Sequence, residues 1–420
     1  MLTAISTALS GLTASSNAIN VIGNDLSNLN TTGYKANELS FHDLMSVSLG
    51  VSGTSGQLGL GVGPVSAVAN YSQGALQTTN GGKDAAIQGN GFFVLNDPNS
   101  NQTLYTRDGS FQVNAAGQLT TNSGQLVQGF SAANGAVNTN GVIGNLVLPL
   151  GATIPATATT NMNLGLNLNS AVATTAPGAV VTAPIQVYDS QGVSHNLTAT
   201  FTKTANNAWS YAVTIPNSEL AAGGAGSTSL ASGNMTFDSS GNLTAPTLAS
   251  DPQTVNITGL ADGAANMTVG WNLYNKTGTP TITQYAEASS INSTTQNGYA
   301  AGTVSNVALQ TGGAVMATYT NGQQVAIGQL AIASINNPSS LSKVGNNNLA
   351  ATASTSTPVV GAANTGGRGQ IVAGALESST VDIATEFANL LTFQRSYQAD
   401  SRVITTSDQL TQETVNLIHA

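Results

Sequence analysis

Apolar residues recur on a 3-4 heptad spacing at both ends of this chain, with a long stretch of different character between. At the N-terminus Leu2, Ile5, Leu9, Leu12, Ile19 and Leu26 keep the spacing, with Ser16 and Gly23 at the missed positions and Ile22 and Leu29 widening the line. Few helix breakers interrupt Leu2 to Leu29, so the pattern predicts a helix of about 28 residues, roughly 40 Å long. Near the C-terminus Ile383, Phe387, Leu390, Tyr397, Ile404, Val415 and Ile418 repeat the spacing. Leu391 sits beside that line, and Val403, Leu410 and Leu417 form a second one seven apart. Ser379 or Thr380 is placed to cap this helix, with Asp382 in its first turn. An amphipathic helix gains little until its apolar face is covered, and each such side chain contributes on the order of 1.5–3 kcal/mol only when buried. The two ends are therefore expected to pair as a coiled coil, within or between chains, and to complete their burial against other chains. On this reading the thirteen residues of the two main lines are the assembly residues.

The middle reads as β. Alternation is clear at Ile185–Tyr188, Leu197–Phe201, Trp209–Val213 and Met267–Trp271. Turn dipeptides Asn90-Gly91, Asp108-Gly109, Asn134-Gly135, Asn140-Gly141 and Asn321-Gly322 punctuate it. Short strands between Gly and Asn turns predict sandwich- or barrel-like domains rather than βαβ units. The expected fold class is multidomain and mainly β, with N- and C-terminal α-helices that pair. Low-complexity runs near 152–160, 171–183 and 350–369 read as crossings between domains. The expected divisions are 1–72 with 366–420 as a terminal helical segment, 73–158 with 286–365 as an inner β domain, and 159–285 as an outer inserted β domain.

Composition removes whole classes of function. Only 6% of the residues are charged, against about 25% in an ordinary soluble domain. Nine Lys and Arg stand against 18 Asp and Glu, a net charge of -9, so nucleic-acid binding is not expected. With no cysteine, disulfide scaffolds, thiolate metal sites and Cys nucleophiles are excluded. So little charge leaves two options: amides and hydroxyls cover the surface, or much of the surface meets neighbouring subunits. The first cationic side chain is Lys35, so a secretory leader with a basic start is not expected, and no stretch nears the roughly 18 apolar residues of a membrane span.

Catalytic patterns are missing. His42, His195 and His419 have no metal-ligand spacing, and neither a nucleophile elbow nor a nucleotide-binding glycine loop occurs. Gly59, Gly61 and Gly63 read as a loop. Asp84, Asp97 and Asp108 lie in turn contexts, and Glu377, Asp382 and Glu386 gather where the C-terminal helix begins. Tyr188, Trp209, Tyr211 and Trp271 could line a glycan groove, but on alternating strands they read as core. No enzyme activity, cofactor or metal is expected.

Particular strings are more specific than composition. Asn24-Asp25-Leu26-Ser27-Asn28-Leu29-Asn30-Thr31-Thr32-Gly33-Tyr34-Lys35 resembles the signature of the bacterial flagellar rod and hook proteins. Gln73–Asn80, Asp84–Phe93, Tyr105–Phe111 and Gly117-Gln118-Leu119 are similar to that family's following blocks. The C-terminal run Gly374–Glu377, Ser379, Val381–Ile383, Glu386-Phe387 and Gln394–Ala399 is similar to its tail, although the family usually shows Asn at the position of Thr380. The motif positions carried over are Asn28, Asn30, Thr31, Gly33, Tyr34, Lys35, Glu377, Asp382, Gln394 and Arg395. The inserted segment, with Val187–Gly192, His195, Trp209–Tyr211, Phe237-Asp238 and Gly241–Leu243, resembles the outer domain of the family's hook members rather than its shorter rod members.

The resemblance implies a structural subunit of a homopolymer in the extracellular hook of the flagellum, a tubular joint that carries torque from motor to filament while bending. It implies export without a cleaved signal, by the flagellar type III export apparatus. It also implies partners: a distal rod protein, a hook cap protein and hook–filament junction proteins. Two other readings stand beside it, a distal rod-type axial protein and a secreted glycan-binding protein. Bending would need outer domains that slide over one another, through Asn, Thr and Gln contacts that rearrange more cheaply than buried ion pairs.

Overall fold

In a computed structural model of the chain, residues 2–44, 47–49, 56–133, 135–149 and 151–418 are described. His419 and Asn134 lie outside that set, as do the side chains of Leu2, Leu417 and Ile418. Helix α1 spans Leu2–Ser27 and helix α2 spans Ile383–Ile418. The described residues between them form strands, turns and three short 3-10 turns, so the mainly β reading with helical ends holds. Among the described residues no helix is long and apolar enough to cross a membrane.

Each helix ends for a local reason. Helix α1 stops at Ser27, where the amide of Asn28 bonds both the Asn24 and Asp25 carbonyls and the chain folds into the turn Asn28–Gly33. At the start of α2 the expected caps are corrected. The Asp382 carboxylate accepts the Thr385 amide at 2.8 Å, as an N-cap does, whereas the Ser379 hydroxyl accepts the Val381 amide. Thr380 is diverted to the other end of the chain, its hydroxyl accepting the Ala36 amide at 2.9 Å.

The chain divides into two compact units, one within 1–150, 306–318 and 324–420, the other within 151–305 and 319–323. The second unit is a sandwich. One antiparallel sheet runs in chain order through Val180–Tyr188, Ser194–Ala205, Ala208–Pro216, Ser227–Phe237 and Leu243–Ala245. The other is built around Asn161–Asn167, which pairs in parallel with Met267–Asn272 and antiparallel with Ser290–Gln296. Period-2 burial explains the arrangement: Trp209, Tyr211, Val213 and Ile215 turn inward from one strand and meet Met162, Leu164, Val269 and Trp271 in a single core. Trp209, Tyr211 and Trp271 are therefore core, and Tyr211 stacks edge-on against Trp271 with centroids 5.2 Å apart. The low-complexity run at 171–183 ends inside a strand, because Val180–Tyr188 finds a nine-residue partner ladder in Ser194–Thr202.

In the first unit the central strand Phe92–Asn96 is buried on both faces. Phe93 and Leu95 enter one cluster with Ile87, Phe111 and Leu330, while Phe92 and Val94 enter another with Tyr105 and Phe130. Its neighbours Thr103–Thr106, Leu126–Ala133 and Gln324–Ser334 all pair antiparallel with it. Two further ladders draw the chain ends together. Gln370–Ala373 pairs with Ala85–Gln88, and Ala375–Glu377 pairs with Leu76–Thr78.

Candidate functional site

The site is the junction where the two ends of the chain meet, together with the helix faces that leave it. The Asn28–Gly33 turn carries the backbone to Gly33, which sits at φ +67° and donates its amide to the Glu377 carbonyl at 2.7 Å. Only glycine fits there, because a Cβ would lie 2.7 Å from the Arg107 carbonyl carbon. That turn aims Tyr34 and Lys35 inward, and both are buried.

Glu377 is the centre of a buried ion cluster. Its side chain has no exposure, and it reaches this point because Ala375–Glu377 is laid beside Leu76–Thr78. Lys35 Nζ lies 2.6 Å from Glu377 Oε1, and Arg107 Nη1 lies 3.1 Å from Oε2. The Gly74 amide also donates to Oε1 at 2.8 Å. Lys35 Nζ donates further to the Ser72 carbonyl, and Arg107 Nη2 to the Gly89 carbonyl. Arg107 lies over the Phe92 ring at 5.3 Å, and its buried Nε has no hydrogen-bond partner. Burial lowers the pKa of both cations while Glu377 opposes that shift. One carboxylate thus joins four stretches of sequence, around Lys35, Gly74, Arg107 and Glu377, that lie up to 342 residues apart.

A second buried anion ties the turn to α1. Asp25 accepts the Tyr34 hydroxyl at 2.7 Å and both the amide and side chain of Asn37, at 2.7 and 2.6 Å. Burial, and then the hydrogen bond to Asp25, push the Tyr34 phenol above its ordinary range. Lys343 lies over the Tyr34 ring at 5.4 Å and donates to Asn37 Oδ1. Glu386, at the start of α2, faces Asp25 and Asp382, and its carboxyl is raised by burial and by those two charges.

The helices themselves pack antiparallel, with Gly11 against Asp400 and Asp25 near Glu386. The buried line on α1 is Ala8, Ala14, Ser15, Ala18, Ile22 and Asp25, all small or polar apart from Ile22. A Cβ on Gly11 would come within 2.7 Å of Asp400 Oδ2, so the Asp400 side chain lies directly over Gly11. This face lies one residue, or about 100° of rotation, from the large apolar line read in the sequence. Of that line, Leu9 is 55% exposed, and Ile5, Leu12, Ile19 and Leu26 are half-buried. On α2, Ile383, Phe387, Tyr397 and Val415 are exposed, whereas Leu390 and Ile404 are half-buried. Leu391 and, on the opposite flank, Val403 and Leu410 are also exposed.

The ten motif positions divide by role. Gly33, Tyr34, Lys35 and Glu377 form the buried junction, Asn28 and Thr31 shape the turn, and Asp382 caps α2. Asn30, Gln394 and Arg395 are exposed and take no part in the cluster. Asp25, Asn37 and Arg107 are junction residues that the sequence reading did not single out, although Asp25 and Arg107 lie inside the quoted motif strings.

A chain whose ends fold on each other, with β bodies inserted between and large apolar side chains uncovered along both helices, belongs to the self-assembling structural class. Comparison with known proteins sharpens this. Residues 5–35 match the flagella basal body rod protein family model, 86–167 the flagellar hook protein FlgE/F/G D1 domain, 179–299 the flagellar basal body protein FlaE D2 domain, and 372–417 the flagellar basal body rod FlgEFG protein C-terminal model. The flagellar hook protein FlgE of Salmonella typhimurium is 33% identical over 98% of this chain and 99% of its own length. That of Treponema pallidum is 31% identical over 99% of this chain and all of its own. The crystal structure of Helicobacter pylori flagellar hook protein FlgE2 covers 72% of this chain and all of its own, with a TM-score of 0.52 at 13% identity, a likeness of fold. The chain belongs to the flagellar hook protein FlgE family, a structural family rather than an enzyme family.

Proposed function

We propose that the chain is a self-assembling subunit of the flagellar hook whose paired helices line the inner wall of a tube and whose β units stack outward. The observation that carries this is the division of labour on the helices. Pairing within the chain uses the small line Ala8–Asp25, which leaves Leu9, Phe387 and Leu391 uncovered. Uncovered apolar side chains on two flanks of α2 suit a helix with neighbours on either side. The thirteen residues of the two main lines remain the assembly residues on this reading, completed only in the polymer.

The tube acts as a joint that carries motor torque while bending, and its partners are the distal rod protein, the hook cap protein, the hook–filament junction proteins and the type III export apparatus. Its location is the extracellular hook, reached by export without a cleaved signal. The three mechanical divisions, 1–72 with 366–420, 73–158 with 286–365, and 159–285, are the proposed bodies that shift against one another as the tube bends. Their contacts between subunits run through Asn, Thr and Gln on this reading, in keeping with a chain of 6% charge, so bending stiffness should change little from low to high ionic strength. A strong salt dependence of stiffness would remove the sliding-contact mechanism.

The deciding experiment substitutes Leu9→Ser and Phe387→Ser together, then scores tubes by negative-stain microscopy and subunit stability by urea unfolding. The expected result is loss of tubes with a subunit stability shifted by less than about 1 kcal/mol, because exposed positions contribute little within the chain. Tubes of normal yield would overturn the assembly assignment.

A further inference from the structure

The second unit holds a titratable cluster that the assembly function leaves unexplained. His195 opens the inward face of the strand Ser194–Ala205, and its side chain is 5% exposed. Its Nδ1 lies 2.9 Å from Glu219 Oε2, while Nε2 lies 3.4 Å from Asp189 Oδ2 and 3.5 Å from Asp262 Oδ2. The three atoms Asp189 Oδ, His195 N and Asp262 Oδ all fall within 4.8 Å of one another. Histidine spacing in the sequence had no metal pattern because the partners are 6 and 67 positions away and only the fold joins them.

Three separate segments deliver these groups. Asp189 is fully buried in the turn after Val180–Tyr188, its Oδ1 accepting the Gln191 and Val193 amides, which turns Oδ2 toward the imidazole. Glu219 comes from the 3-10 turn Asn217–Glu219. Asp262 comes from the loop before Met267–Asn272, which is tied to that turn by the Ala261 amide on the Glu219 carbonyl and the Ala221 amide on the Gly259 carbonyl. The geometry is thus set by backbone bonds rather than by the charges themselves.

The contact from Nδ1 to Glu219 is short enough for a charge-assisted hydrogen bond in which Nδ1 donates. Nε2 then faces two carboxylate oxygens, an arrangement that needs a positive centre between them, a second ring proton or a bound cation. The distances to them exceed the 2.7–2.9 Å typical of an N–H donor to a carboxylate, and one N–H cannot point at both. These two distances match the edge of a coordination tetrahedron, since ligands about 2.1 Å from a zinc ion lie about 3.4 Å apart. The third pair, Asp189 and Asp262, stands within side-chain hydrogen-bond reach, two carboxylates that a cation between them would satisfy. A carboxylate on the far nitrogen of a metal-bound histidine is also the usual device for orienting the ring and raising its basicity.

We propose that Asp189 Oδ2, His195 Nε2 and Asp262 Oδ2 bind a divalent first-row transition cation, with zinc the best match, and that Glu219 positions the imidazole. The nitrogen ligand selects against calcium and magnesium, which take oxygen ligands in larger or octahedral sets. Asp262 lies at the edge of the cluster with its side chain 22% exposed, which leaves the fourth position to water. Bound there, the ion joins the Asp189 turn and the Asp262 loop to the start of the strand Ser194–Ala205.

The test titrates the chelator-treated full-length chain with zinc chloride by isothermal calorimetry and follows thermal unfolding through the buried tryptophans. A saturable site and a zinc-dependent rise in the unfolding midpoint are expected. Asp262→Asn, a surface change that spares the fold, should weaken binding by about 100-fold, and Glu219→Gln by about 10-fold. His195→Gln should abolish the site. Zinc uptake that Asp262→Asn and His195→Gln leave unchanged would place it at another residue and overturn the proposal. So would a chain that takes up no zinc.

Discussion

At the scale of single residues, the junction depends on Glu377. It is the one carboxylate shared by Lys35 and Arg107, and all three side chains are buried. Substituting Glu377→Gln leaves two buried cations without their counter-charge. Breaking a buried pair from one side costs about 3–5 kcal/mol, so urea unfolding should show a loss of that order. Glu386 is the opposite case. Its carboxyl is raised by burial, Asp25 and Asp382, so the folded chain holds that proton more tightly than the unfolded chain does. The resulting penalty is absent in acid, below the ordinary glutamate value, and grows as pH rises through the raised one. Glu386→Gln should therefore increase the urea midpoint at neutral pH and leave it nearly unchanged near pH 4. An equal gain at both would mean that the charge is not the cause. The motif strings pointed to this neighbourhood without distinguishing Glu377, which bonds two cations, from Gln394 and Arg395, which are exposed. That distinction needs the ladder between Ala375–Glu377 and Leu76–Thr78.

At the scale of the helices, existence and length were legible and orientation was not. Heptad counting weights large apolar residues, so it selected the Leu9–Leu12–Ile19 line. The chain instead pairs its helices through Ala8, Ser15 and Ala18, where side chains are small enough for the backbones to approach. Two neighbouring lines on one helix invite opposite predictions. Ala18 is fully buried, so Ala18→Leu should overpack the helix pair and destabilise the subunit by about 1–3 kcal/mol, measured by urea unfolding. Changes on the outer line should spare the subunit and act on polymerisation. If Ala18→Leu were silent and Leu9→Ser destabilising, the two faces would have to be exchanged.

At the scale of the whole chain, the proposed assembly residues and the tryptophan core fall in different units. The ends, α1, α2 and the junction all belong to the first unit, while Trp209 and Trp271 both belong to the core of the second. Removing residues 1–30 and 376–420 should abolish tubes and leave both tryptophans buried, read as blue-shifted fluorescence that persists to high urea. Conversely, Trp271→Ala empties the centre of the sandwich and should cost about 3–5 kcal/mol there, while the helix faces stay intact. Loss of tryptophan burial on truncation would show that the second unit depends on the ends. Strand alternation disclosed this sandwich early, since Trp209, Tyr211 and Val213 all turn inward as a period of two demands. It did not disclose where the chain leaves one unit for the other, because runs rich in Ala, Thr and Gly can either link or pair.

The elements and the family are readable from spacing alone: heptads for the ends, alternation for the middle, and motif strings for flagellar kinship. Local spacing encodes those features, and spacing survives without a fold. The fold settles which helix face is buried within the chain and which stays exposed, and that Asp382 rather than Ser379 or Thr380 caps α2. Tertiary structure alone also joined Lys35, Arg107 and Glu377 into one cluster, and His195 with Asp189, Glu219 and Asp262 into another. Those arrangements depend on strand pairings between residues far apart in the chain, and burial and charge act through space, where sequence distance has no force.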